Sequence, residues 1–259
     1  MQCRKRRAPK AVFFDLYGTL LILGDMRRAW SDWMDVFYGT LCAQGLTRTR
    51  EEFGSRCDRF FGQEEPAPAA DGLTVFERRI RRVLQSVDLS LEQPTLRAMA
   101  ANMVNSWQAH VTLDPEALGV LKELRTSKTL ALITNFDHPP HALRVLRETG
   151  LDAYFSSIVI SGDVGVKKPD PAIFQIALQA TGLAPDEVVY VGDTMEDVKG
   201  ATAAGIRPII IARLADPSRP RILDYTRGQE SPSDRATPHE FADVTNIASL
   251  REIITAVSV

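Results

Sequence analysis

The chain is poor in the residues that mark several specialised protein classes. It has 3 cysteines in 259 residues, Cys3, Cys42 and Cys57. The number is odd and no pair has C-x-x-C spacing, which points away from a disulfide framework or a zinc site and towards reduced thiols in a cytoplasmic protein. Charge of one sign is also missing. Lys and Arg number 31 against 33 Asp and Glu, a net charge of −2, so nothing marks a nucleic-acid or other polyanion partner. The local exception, Arg4, Lys5, Arg6 and Arg7, reads as a solvated terminus. No apolar run approaches the roughly 20 residues of a membrane span, and none follows the basic cluster as it would in a signal peptide. These absences predict a cytoplasmic protein without a membrane or nucleic-acid partner, and leave its oligomeric state open.

What is present is ordinary globular composition, 44% hydrophobic and 25% charged, with enough chain for one large domain or two smaller ones. Against that background Ala11 to Leu20, AVFFDLYGTL, stands out. Val12, Phe13 and Phe14 read as a buried strand that delivers Asp15 to the carboxyl edge of a sheet, where open α/β folds bind ligands. A lone Asp after an apolar run is ordinarily a turn former. Here the pattern recurs with complementary chemistry. Thr129 to Asn135 (TLALITN) ends in a hydroxyl and an amide, and Val188 to Asp197 (VVYVGDTMED) ends in two acids four residues apart. Between them, Val166 to Pro171 (VKKPDP) supplies lysine.

These segments resemble the four motifs of the haloacid dehalogenase-like hydrolase superfamily: DLYGTL the first, ITN the second, KKPDP the third, and GDTMED followed by VKGATAAGI the fourth. They run from residue 11 to about 206 in the family's order. The resemblance implies an α/β fold, a Rossmann-like parallel sheet flanked by helices with an inserted, mostly helical cap domain. It assigns residues 1–20 and 113–259 to the core and 21–112 to the cap. The helical pattern of the insertion supports this. Trp30, Trp33, Met34, Phe37 and Leu41 recur at spacings of three and four. Further helices are predicted over Val75 to Ser86 and Pro94 to His110, with a Pro- and Ala-rich linker at Glu64 to Gly72 and no buried strand. After Leu113 helices and strands alternate, and the helices near His141 to Thr149 and over Pro171 to Thr181 are expected to stop at Gly150 and Gly182. The polar stretch 214–239 reads as a long loop, and Leu250 to Val257 as a last helix.

The resemblance also implies the chemistry. Asp15 would be the nucleophile, forming a covalent aspartyl intermediate. Lys168 would hold it ionised and neutralise a substrate anion. The Thr134 hydroxyl would bind substrate oxyanions, with Tyr17 as the remaining catalytic group and Asn135, Gly18 and Thr19 at the substrate. Asp15, Tyr17, Asp193 and Asp197 would form a Mg²⁺ site. If Asp15, Asp193 and Asp197 converge, each pair at about 4 Å costs roughly 4 kcal/mol at an effective dielectric near 20. One lysine offsets that poorly and Mg²⁺ offsets it well.

Tyr17 points differently. Phosphatases of the family carry a second Asp at this position as general acid, whereas DLYGT is the spelling of the 2-haloacid dehalogenases. The dehalogenase features elsewhere are missing: Phe174 stands where they have tyrosine, Thr134-Asn135 where they have Ser-Asn, and Arg48 and Arg50 sit in an unremarkable helix start. The expectation is therefore a Mg²⁺-dependent hydrolase, a phosphatase on a small phosphorylated, anionic metabolite. The alternatives are a metal-independent 2-haloacid dehalogenase-like hydrolase and a weakly catalytic binding module on the same scaffold. His138 and His141, in DHPPH, are expected in a surface loop or at a helix start rather than in a metal site. Asp137 is expected to cap the helix that follows, and Asp170 to form a turn.

Overall fold

A computed structural model of the chain describes residues 8–57, 60–67, 70–213 and 244–258, together with two short strands at 223–224 and 229–230. Apart from those two strands, the predicted loop at 214–239 lies outside the described residues. The chain forms two compact units. One comprises Met1–Ile22, Leu113–Ala215 and Ser233–Val259, and the other Leu23–Thr112 and Asp216–Pro232.

The first unit is built on a six-stranded sheet. Its strands are β1 (Ala11–Phe14), β4 (Thr129–Thr134), β5 (Ser157–Ile160), β6 (Val188–Gly192), β7 (Arg207–Ile211) and β10 (Thr245–Ile247), in the order β10-β7-β6-β1-β4-β5. Every neighbouring pair is parallel. The sequence dictates this arrangement through its apolar runs. AVFF and VVYVG are buried at every position, as central strands covered on both faces must be. Helices supply the cover: α5 (Ala117–Leu124), α6 (Pro139–Thr149), α7 (Ser161–Val164), α8 (Ala172–Thr181), α9 (Met195–Ala203) and α10 (Glu252–Ala256). Below the sheet Phe13, Ile133, Ile173, Phe174, Tyr190 and Ala201 share one core cluster. Helices α6 and α8 stop at Gly150 and Gly182 in the left-handed conformation, the C-terminal signal read from the sequence.

The strand order matters for the site. From β1 the chain moves outward through β4 to β5, then returns to the other side of β1 for β6, β7 and β10. The direction reverses at β1 and β6, and the carboxyl ends of strands at such a reversal leave a crevice between diverging loops. Asp15 follows β1, Thr134 ends β4, and Asp193 follows β6.

The second unit contains α1 (Met26–Ala43), α2 (Arg50–Cys57), α3 (Val75–Ser86) and α4 (Gln93–Gln108). The expected stripe lies along α1, where Trp33, Met34, Phe37 and Leu41 are buried. Phe37 packs edge-on against Trp33 at 5.5 Å and Phe53 at 4.9 Å. A capping box between Thr74 and Glu77 starts α3. As expected, this stretch holds no fully buried strand among the described residues, but two short strands stand at its ends. Leu21–Leu23 (β2) and Val111–Leu113 (β3) form a two-stranded ribbon, too short for a periodic signal. The expectation for Asp137 is corrected: the residue at the start of α6 is His138, ahead of two prolines. His138 and His141 lie at a helix start, one of the two expected places, and both are buried. Among the described residues, no helix is long and apolar enough to cross a membrane.

Phe37→Ala is expected to lower the unfolding free energy by about 3–5 kcal/mol, measured by urea denaturation, because it empties the aromatic centre of the helical unit.

Candidate active site

Asp15 and Lys168 are the centre of the site, and both are almost completely buried. Lys168 Nζ donates to Asp15 Oδ1 at 2.7 Å and to Asp197 Oδ1 at 2.6 Å. A buried ammonium needs such partners, since a charge removed from water without them costs several kcal/mol. Its third contact is the Tyr190 hydroxyl at 3.0 Å. That hydroxyl lies 2.8 Å from Asp197 Oδ1 and 3.2 Å from the Ile133 carbonyl. Tyr190 was not anticipated from the sequence. The available signal was a single hydroxyl within an otherwise aliphatic, fully buried strand, where a polar tip must find a partner.

The fourth motif folds as it does because Thr194 and Asp197 form a capping box at the start of α9. Asp197 Oδ2 accepts from the backbone N–H groups of Asp193 at 3.2 Å and Thr194 at 3.0 Å, and from the Thr194 hydroxyl at 2.6 Å. Both oxygens of Asp197 are therefore engaged by donors. Gly192 is required beneath it, since a Cβ there would lie 2.3 Å from the Asp197 carboxyl carbon.

Asp193 is placed differently. One hydrogen bond reaches its carboxylate from Thr19 Oγ1, at a long 3.4 Å. Oxygens of Asp15, Asp193 and Asp197 all lie within 4.8 Å of one another, and this is the one such acidic or metal-ligating cluster among the described residues. The charge argument made from the sequence is thus refined. Lys168 does balance two of the acids, and the uncompensated charge collects at Asp193.

The proton affinities agree. Burial, with the charge of Asp197, outweighs Lys168 and pushes the Asp15 carboxyl up to about 6. Burial and the neighbouring charges of Asp15 and Asp197 push Asp193 well above the carboxylate range. Burial acts against the Asp197 anion too, but Lys168 and the hydrogen bonds from Thr194 and Tyr190 prevail and hold it low. Lys168 would be depressed by burial, yet the charges of Asp15 and Asp197 raise it, so it is an ammonium at any physiological pH.

The second-motif residues divide. Thr134 is buried at the end of β4. Asn135 turns to Lys168: its Oδ1 accepts from the Lys168 N–H at 2.9 Å, and its Nδ2 donates to the Lys168 carbonyl at 3.0 Å and to Glu196 Oε2 at 3.2 Å. Its amide is committed to bracing the lysine backbone rather than turned to a substrate. Gly18, at φ +90°, lies so close to Asp193 that a Cβ would fall 2.1 Å from Oδ2.

Tyr17 stacks on Phe136 with ring centroids 4.8 Å apart, and Phe136 stacks on His141 at 5.7 Å. Burial, with the Asp15 charge, raises the Tyr17 phenol, so it stays neutral. Burial and the nearby Arg144 lower His141 to about 3, and its Nδ1 accepts from Arg144 Nη2 at 2.9 Å. His141 thus serves an aromatic stack, and neither it nor His138 is part of the acidic cluster.

Comparison with known proteins adds the following. A family model described as haloacid dehalogenase-like hydrolase matches residues 9–205. A phosphoserine phosphatase from Thermus thermophilus is 44% identical over 110 residues, 42% of this chain and 44% of that protein. Phosphoglycolate phosphatase 1 from Pseudomonas aeruginosa is 30% identical over 78% of this chain and 68% of its own length. Among solved structures, a 2-haloacid dehalogenase from Pseudomonas syringae shares the fold with a TM-score of 0.60 at 21% identity, covering 96% of this chain and 98% of the other.

Two outcomes follow from this geometry. Because Asp15 binds its proton more tightly folded than unfolded, its contribution is full below about pH 3.8 and is lost as pH rises through about 6. In cation-free buffer, the unfolding free energy should fall by on the order of 3 kcal/mol between pH 4 and 7 through this group. Asp15→Asn should remove that slope in denaturant titrations. Gly18→Ala should fold but lose activity at least about 10²-fold, since the added methyl must displace Asp193, as a comparison of kcat with the wild type would show.

Proposed function

Because the chain belongs to the haloacid dehalogenase-like hydrolase family, we propose that it is a Mg²⁺-dependent phosphatase acting on a small phosphorylated metabolite through an aspartyl intermediate at Asp15. The observation that carries this reading is the imbalance at Asp193. Lys168 is shared between Asp15 and Asp197, which leaves Asp193, a half-buried acid beside the nucleophile, without an ion pair among the described residues. That donor chemistry, carboxylate oxygens at a cleft where a substrate phosphate would add more, fits Mg²⁺. Asp15, Asp193 and the backbone carbonyl of Tyr17 would hold it. Asp197 would contribute by keeping Lys168 in place, its own oxygens being engaged. When bound, the ion would neutralise phosphate charge and keep Asp15 ionised at neutral pH. The phosphoserine and phosphoglycolate phosphatases described above are among the relatives that support phosphate over halide as the substrate group.

In this reading a carboxylate oxygen of Asp15 attacks phosphorus, the ester P–O bond breaks, and the leaving group departs with the electron pair as an alkoxide that takes its proton from water. Water then attacks the aspartyl phosphate and releases inorganic phosphate and free Asp15. Lys168 offsets the charge of the attacking carboxylate and of the transferring group. Asn135 acts through Lys168, whose backbone it braces on both sides. Thr134 would bind a substrate oxyanion through its hydroxyl, with Gly18 and Thr19 beside the substrate. Tyr17 stays a neutral phenol and, held high by burial, would be a poor proton donor to a leaving alkoxide. Acyl and aryl phosphates, whose leaving groups need no proton, are therefore the favoured test substrates. The helical insertion, residues 21–112, acts as the cap that selects among substrates, on the 1–20 and 113–259 core, in a cytoplasmic enzyme.

The test is hydrolysis of p-nitrophenyl phosphate and acetyl phosphate with Mg²⁺ or with EDTA. Turnover that requires the metal and falls at least about 10³-fold in Asp15→Asn is expected. Halide release from 2-chloropropionate in EDTA would replace this reading with a dehalogenase. No turnover of either kind, with Mg²⁺ still raising the melting temperature, would leave a binding module.

A further inference from the structure

Beyond β7 the chain presents Arg213, a half-buried residue that reaches back across the sheet to the turn after the nucleophile. Its Nη1 donates to the Gly18 carbonyl and its Nη2 to the Thr19 carbonyl. Nη2 also meets Asp114 Oδ2 at 2.7 Å. Asp114 is buried, and it grips the same turn through its backbone, donating from its N–H to the Leu20 carbonyl at 3.0 Å. Three successive carbonyls, those of Gly18, Thr19 and Leu20, are thus held by one guanidinium and its carboxylate partner. The other side of this turn faces Asp193. Gly18 lies where a side chain would strike the Asp193 carboxylate, and the Thr19 hydroxyl points at Asp193 Oδ1.

We propose that Arg213 is a positioning residue: its guanidinium clamps the Gly18–Thr19 turn against Asp193 and so sets the spacing between Asp15 and Asp193 on which the reaction depends. The physical case rests on fork geometry. A guanidinium presents donors in a rigid plane and can bridge two consecutive carbonyls and a carboxylate at once, which a lysine ammonium does not reproduce. Hydrogen bonds from a charged donor are about twice as strong as neutral ones. They also polarise the two peptide groups they engage. A turn in contact with a reacting carboxylate must be held closely, since displacement by about 1 Å costs on the order of 10²-fold in rate. Arg213 is the element that holds it from outside the motif itself, and it is separated from that motif by almost the whole of the unit.

The test compares Arg213→Ala and Arg213→Lys with the wild type, in the full chain. Its kinetic arm rests on the phosphatase reading; its hydrogen-exchange arm needs neither substrate nor metal. In Arg213→Ala the Leu20 and Leu21 amides, which donate to the Leu16 carbonyl, should exchange at least about 10-fold faster while those of Val12 to Phe14 keep their protection. With p-nitrophenyl phosphate and saturating Mg²⁺, kcat should fall about 10- to 100-fold with KM within about threefold. Calorimetric Mg²⁺ affinity should weaken about 10-fold. Free guanidinium should restore part of kcat to Arg213→Ala, and Arg213→Lys should stay impaired. Unchanged exchange at Leu20 and Leu21 would overturn the proposal, as would unchanged kcat and Mg²⁺ affinity. Faster exchange that spreads through β1 without rescue by guanidinium would also overturn it, by showing a merely structural residue. A wild type without Mg²⁺-dependent turnover would sink the phosphatase reading alone, and the exchange data would still decide the clamp.

Discussion

The structure of the first unit turns on one buried ammonium. Lys168 lies between Asp15 and Asp197 with almost no solvent access, and neither acid is tolerable as an anion there without it. Much of the surrounding architecture is explained as its support. Asn135 fixes its backbone from both sides, Tyr190 supplies a third polar contact, and the capping box of α9 holds Asp197 ready to receive it. A network of this kind is favourable only when every member is satisfied. Asp193 is the member left short, and that deficit, rather than the mere number of acids, is what asks for a cation.

The same arrangement separates two roles that a list of acidic residues would merge. Asp193 and Asp197 differ by one helical turn in sequence but have opposite proton affinities, one driven up by its neighbours and one held down by five donors. Environment divides the labour between chemically identical side chains. The neutral Tyr17 phenol, pinned in its stack with Phe136, belongs to the same pattern: two residues after Asp15 stands a group that does not ionise.

What could be read in advance followed from local signals. AVFFD, TLALITN and VVYVGD announced the strands β1, β4 and β6 and the residues at their ends, because apolar run and polar terminus lie side by side in the chain. The amphipathic stripe of α1 and the glycine stops of α6 and α8 were legible for the same reason. What escaped depends on partners distant in sequence. Nothing near Tyr190 indicates that its hydroxyl meets Lys168, and nothing near Asn135 indicates that its amide turns towards Lys168 and Glu196. The strands β2 and β3, three residues each, form because they find one another across the whole helical insertion. The burial of His141 likewise goes with a stack on Phe136 that periodicity does not encode.

The position of β1 has a consequence for how the chain is made. It leaves the ribosome well before its neighbours β4 and β6, whose Thr129 and Val188 align with Ala11. Until those segments emerge, Val12, Phe13 and Phe14 have neither sheet partners nor covering helices, and pairing must wait on closure of long loops. The helical insertion has contacts closer in sequence and is translated in the interval. It is the part of the nascent chain that can fold while the catalytic strand waits, and that waiting strand is where a holdase chaperone would have the most to protect.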